Sequence, residues 1–166
     1  HQSSTSKTNS GKCFGRGWRS FKRSLTRASP STGRYWMNSE ARRHLDRASS
    51  RLRVAKKLLK DGELEDAISR GYYAMCHAAK ALLLVKGSNP KTHEGVLREI
   101  GRLYVKTGEL PVRAGRSLAK AKALREKSDY APIFRAERDV ADQMIREAEE
   151  FIALTRVYLT KRPRDH

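Results

Sequence analysis

The chain has 166 residues, 38% hydrophobic and 33% charged, which is enough for one ordinary domain with a heavily solvated surface and some excess. Its formal net charge of +18 points towards a polyanion, whether nucleic acid, anionic lipid or an acidic protein, and does not choose among them or require any. No apolar run approaches the ~20 residues that cross a bilayer, the longest being Ala81 to Val85, so no membrane span is expected. Two cysteines, Cys13 and Cys76, argue against a disulfide framework and fit a reducing cytoplasm.

Residues 1–36 contain no Asp or Glu and hold eight basic residues among many Ser, Thr and Gly. No period of 2 or 3.6 is sustained, so this segment should not bury enough surface to offset its ordering entropy. It is expected to be a disordered basic tail carrying +8 of the charge, the remainder carrying +10. Three readings stay open for it. Phe14, Trp18 and Phe21 interleave with basic residues, as in an arm that stacks on bases. A basic, Ser-rich, acid-free stretch also suits a targeting peptide, although it lacks the apolar centre of a secretory signal. The preferred reading is an upstream or vector-derived segment, because Met37 falls where helical order begins.

From Asn38 the pattern turns helical. Asn38 or Ser39 can cap a first helix to about Lys60, with Leu45, Ala48, Leu52, Ala55 and Leu59 on one stripe. Asp61-Gly62 breaks it, and a second helix spans Glu63 to Lys86 before Gly87-Ser88-Asn89-Pro90. Thr92 can cap a third, bearing Val96, Ile100 and Leu103 and closing at Thr107-Gly108. A fourth runs from about Val112 to Lys127, a turn occupies Ser128 to Pro132, and the last runs from about Phe134 to Thr160. Short loops, long amphipathic helices and no period-2 segment predict an all-α, up-and-down antiparallel bundle of four to five helices over residues 37–162. Residues 163–166 are expected to be a disordered C-terminus.

The second helix carries the unusual chemistry. Leu64, Ile68, Met75, Ala79 and Leu82 should face the core. Arg70 and His77 are seven residues apart, so both leave the same face about 10 Å apart along the axis. Their neighbours are small or apolar all round, which predicts burial on two sides, one of them against a second subunit. An imidazole moves protons near neutral pH, and a guanidinium clamps phosphate and stabilises charge growing on its oxygens. The pair suits metal-independent cleavage of an RNA backbone; equally, His77 can be a satisfied interior residue and Arg70 can pair with Asp66. His44, among Arg42, Arg43 and Arg47, reads as part of a solvated face. Cys76 and the scattered histidines are too few for a zinc site, and no phosphate loop, Ser-His-Asp set or carboxylate pair is evident, so no metal or cofactor is expected.

The run Ser69-Arg70-Gly71-Tyr72-Tyr73-Ala74-Met75-Cys76-His77-Ala78-Ala79-Lys80 resembles the second helix of small prokaryotic HEPN proteins. Lys91-Thr92-His93-Glu94-Gly95-Val96 is similar to the start of that family's third helix, Val105-Lys106-Thr107-Gly108-Glu109-Leu110 also fits, and Arg125-Glu126-Lys127-Ser128-Asp129-Tyr130 resembles its Arg-x-x-x-Asp-Tyr segment. The likeness covers nearly all of Met37 to Thr160 and none of the tail. It implies a four- or five-helix bundle that commonly forms a homodimer and pairs with a minimal nucleotidyltransferase, often as a toxin–antitoxin couple. Many members are metal-independent ribonucleases with Arg, four to six residues, then His, which carries over to Arg70 and His77; other members bind nucleotides or nucleic acid without cutting. The residue after the Arg is often polar in ribonuclease members, and here it is Gly71. Tyr73, His93, Asp129 and Tyr130 complete the expected supporting or substrate-binding set. Tyr73 would pack or orient the site. His93 would fix a helix start or touch a phosphate. Asp129 and Tyr130 would fix the turn before the last helix, with Asp129 able to pair with Arg70 or Arg125.

Overall fold

The computed structural model describes residues 37–130 and 133–160, so the expectations for residues 1–36 and 163–166 lie outside the described residues. Helix α1 spans Ser39–Asp61, α2 Leu64–Val85, α3 His93–Ile100, α4 Val112–Tyr130 and α5 Arg138–Thr160. Among the described residues there is no strand, as the sequence pattern predicts.

The helix ends follow from local chemistry. Asn38 Oδ1 accepts the Ala41 N–H at 2.7 Å and caps α1. Gly62, at φ 88°, closes α1 in the left-handed region, and the Glu63 N–H returns to the Leu58 carbonyl. The two-residue turn folds α2 back antiparallel on α1. Thr92 Oγ1 accepts the Gly95 N–H at 3.0 Å and caps α3. Past Ile100 the backbone widens into one π turn over Gly101–Val105, which seats the buried Tyr104 with its hydroxyl donating to the Leu82 carbonyl.

Two boundaries differ from expectation. The fourth helix continues through Ser128 to Tyr130, because the Ser128 hydroxyl bonds back to Leu124 and Arg125 pairs with Asp129 one turn on. The last helix begins at Arg138, not Phe134, because the Ala136 N–H is drawn off to the Glu65 carboxylate at 2.8 Å.

Helix α2 is the centre of the bundle and packs against α1, α3, α4 and α5. Its buried residues lie on nearly every face. The core is completed by Val96 and Ile100 of α3, Leu118 of α4, and Met144, Phe151 and Leu159 of α5. On α1 the fully buried residues are alanines, Ala41, Ala48 and Ala55, spaced by seven. Small side chains at two-turn intervals let α1 lie close on α2, and this brings the polar residues flanking that stripe against α2.

Candidate functional site

The seam between α1 and α2 gathers the distinctive polar residues. His44 and Arg51 each lie three residues beyond a buried alanine, and they share the seven-residue spacing of Arg70 and His77 on α2. In the antiparallel register set by the Gly62 turn, His44 falls opposite His77 and Arg51 opposite Arg70. The result is two matched ridges.

At one end His44 Nδ1 and His77 Nδ1 are hydrogen-bonded at 2.9 Å, with the ring centroids 5.1 Å apart. His44 is therefore not part of a solvated face. The buried alanine stripe beside it turns its ring into the seam. Burial lowers the His77 pKa to about 4, with His44, Arg51, Lys80 and Arg47 adding to the effect. Burial, then Lys80 and Arg47, also lowers that of His44.

At the other end Arg70 lines an open cleft of about 500 Å³ with Arg47, Ser50, Arg51, Val54, Leu58 and Asp66. Arg70 is exposed and forms no ion pair among the described residues, with Asp66 or otherwise. Arg47 and Arg51 are likewise without a carboxylate partner there, and the Arg51 Nε is buried without a hydrogen-bond partner. Three guanidiniums face one carboxylate across this cleft, an arrangement that an anion would relieve. Arg70 and His77 do not touch. Arg47 and Arg51, which line the cleft and act on the charge of His77, connect them.

Tyr73 sits beside this seam between two cations. Arg51 lies 5.7 Å and Arg125 5.4 Å from its ring centre, and an Arg125 nitrogen donates to its hydroxyl at 3.1 Å. Asp129 pairs with Arg125 at 2.7 Å and not with Arg70. Tyr130 also lies against Arg125, with most of its surface exposed. His93 belongs to a separate cluster: its Nδ1 is hydrogen-bonded to the Tyr72 hydroxyl at 2.6 Å and lies 3.9 Å from the Cys76 sulfur. Burial, then Arg125 and Lys80, lowers the His93 pKa, and burial raises those of Tyr72 and Cys76. His93 thus ties the start of α3 to α2, and Arg125, not Arg70, is the partner of the Asp129–Tyr130 block.

Gly71 faces away from the seam. A Cβ there would come within 2.8 Å of Ile145 Cδ1 and 2.9 Å of Met144 Sδ, so this position is where α5 approaches α2. Among the described residues no three His, Cys, Asp or Glu side chains are grouped to hold a metal ion. None of the described helices is long and apolar enough to cross a membrane.

An antiparallel helical bundle with a cationic seam and an Arg–His ridge on its central helix is the class this architecture defines. Residues 41–158 match the HEPN domain family, and the chain belongs to it. Among its relatives, a Methanocaldococcus jannaschii protein provisionally named a toxin is 41% identical over 105 residues, covering 63% of this chain and 78% of that protein. A second protein of that organism, provisionally named in the same way, is 31% identical over 72% of this chain and 82% of its own length. A UPF0332 protein of Thermotoga maritima is 37% identical over 64% of this chain and 80% of its own length. The crystal structure of TT1696 from Thermus thermophilus shares the fold, with a TM-score of 0.63 at 20% identity, covering 73% of this chain and 99% of that one.

Proposed function

We propose that this protein acts on RNA as a metal-independent, toxin-like endoribonuclease of a HEPN–nucleotidyltransferase pair. The observation that carries this reading is the seam. Arg70 stands in an open cleft with two further guanidiniums free of carboxylates, and His77 lies along the same ridge with a second imidazole against it. Arg70, helped by Arg47 and Arg51, grips the scissile phosphate and stabilises charge on its oxygens. His77 moves the proton when the 2′-hydroxyl attacks phosphorus. The names of the two archaeal relatives agree with a toxin-like role. A homodimer that aligns two seams and a minimal nucleotidyltransferase as neutralising partner complete the proposal.

Purified protein incubated with cellular RNA in EDTA should release fragments with 5′-hydroxyl and cyclic-phosphate ends. His77→Ala should reduce cleavage by about 100-fold or more while leaving the helical circular-dichroism signal and melting temperature near wild type. Intact RNA after incubation with wild type defeats the enzymatic reading.

A second reading has its own support. His77, held near 4, is a weak base in the neutral range, and a cationic cleft binds phosphates with no chemistry at all. In that case the bundle binds a nucleotide or nucleic acid and serves the nucleotidyltransferase partner, and salt-dependent affinity without cleavage distinguishes it.

A further inference from the structure

The contact between His44 and His77 is a direct Nδ1–Nδ1 hydrogen bond of 2.9 Å between helices, 33 residues apart in the chain. Such a bond needs one ring to donate and the other to accept. The donor ring therefore carries its proton on Nδ1 and presents a bare Nε2, while the acceptor ring presents Nε2–H. Neither Nε2 has a hydrogen-bond partner among the described residues, and both rings are only part-buried. One neutral pair thus offers a base and an acid on the same seam whose other end is the cationic cleft. Backbone cleavage of RNA needs those two functions together.

We propose that His44 is a second catalytic residue, and that His44 and His77 act as one proton relay in the phosphodiester transfer. The relay rests on the ribonuclease reading above and deepens it. The bare Nε2 of the donor ring takes the proton of the 2′-hydroxyl as the O2′–phosphorus bond forms. That ring then carries two protons, and its Nδ1 proton crosses to Nδ1 of the partner. The partner releases its Nε2 proton to O5′ as the phosphorus–O5′ bond breaks. One proton enters, one crosses and one leaves, so the pair begins and ends neutral with its tautomers exchanged. The products are a cyclic phosphate and a 5′-hydroxyl end, and no co-reactant is needed.

The surroundings favour a pair that is neutral at rest. Arg43, Arg47 and Arg51 from α1 and Lys80 from α2 face it, and Glu40 is the acidic residue opposing them. A lasting positive charge is disfavoured there, whereas a proton passed straight through is not.

The test uses His44→Asn and His77→Asn in the full chain, because the Asn amide can keep a hydrogen bond across the seam without relaying a proton. The probe is a labelled mixed-sequence single-stranded RNA pool in EDTA. Each variant should lose about 10²-fold or more in kcat with KM near wild type, and the double variant should be no slower than either single one, as for groups acting as one unit. The residual activity of His44→Asn should lose its acid limb at higher pH than wild type, because the His44 charge no longer weighs on His77. If His44→Asn cleaves at the wild-type rate while His77→Asn is inactive, the relay is wrong and the ribonuclease reading stands. If wild type leaves both this pool and cellular RNA intact, both fall together.

Discussion

Two imidazoles facing each other through Nδ1 cannot both be protonated there without losing their bond, and burial adds to the cost of charging either. This gives a stability signature. The pKa of His77 is about 4 in the folded chain against an ordinary 6.5, and His44 shifts in the same direction. Between those values the unfolded chain takes up protons that the folded chain refuses. Stability is therefore full above pH 6.5, declines as pH falls, and stops declining from this source below about pH 4. Screening around half-exposed rings reduces the effect to roughly 1 kcal/mol at pH 5, or about 3 °C in Tm. Thermal melts from pH 7.5 to 5 should show that decline in wild type and a flatter line in His44→Asn/His77→Asn; identical slopes would contradict a neutral pair. The sequence announces Arg70 and His77 because they share one helix. It hides His44, whose arginine neighbours suggest open solvent. The shared seven-residue spacing of Ala41, Ala48 and Ala55 with His44 and Arg51 was the signal for the seam. Arg125 was marked by its spacing from Asp129, but its contact with Tyr73, 52 residues away, had no such signal.

At the scale of elements, α5 crosses α2 over a position that carries no side chain. The atoms a Cβ at Gly71 would meet are the ends of Ile145 and Met144, which can move, and alanine regains about 1 kcal/mol of helix propensity. Gly71→Ala should therefore be close to neutral. Gly71→Glu should cost about 3 kcal/mol or more, because it drives an unpaired carboxylate between two buried apolar residues. Urea midpoints separate the two, and equal midpoints would mean α5 stands off from α2 at this point. A polar residue here would enter the helix crossing and not the seam, so glycine leaves the Arg–His ridge intact. The helices themselves were legible from caps, glycines and apolar stripes, with α1 and α2 placed within about two residues. The Phe134 boundary failed because the bond that delays α5 comes from Glu65, 71 residues earlier, and only the folded chain brings it there.

For the molecule as a whole, the question is whether its positive charge is diffuse or focused. A net charge of +18 gives nonspecific attraction to any nucleic acid, and residues 1–36 supply +8 of it regardless of the cleft. Bare affinity is therefore uninformative, and a difference in salt dependence is the useful measurement. Each phosphate contact on a single strand adds about −0.7 to the slope of log K against log salt. If Arg47, Arg51 and Arg70 each hold one phosphate in the cleft, replacing all three by alanine should flatten the slope by about 2. Replacing Arg53, Lys57 and Lys60, which are exposed on α1 and do not line the cleft, removes the same charge from another face and should change the slope by less than half as much. Fluorescence titrations of a single-stranded RNA with the full chain and both triple variants, from low to physiological salt, make the comparison. Equal flattening would show RNA held by the general field of the protein, leaving the cleft with no privileged hold on phosphate and the Arg–His ridge with no substrate delivered to it.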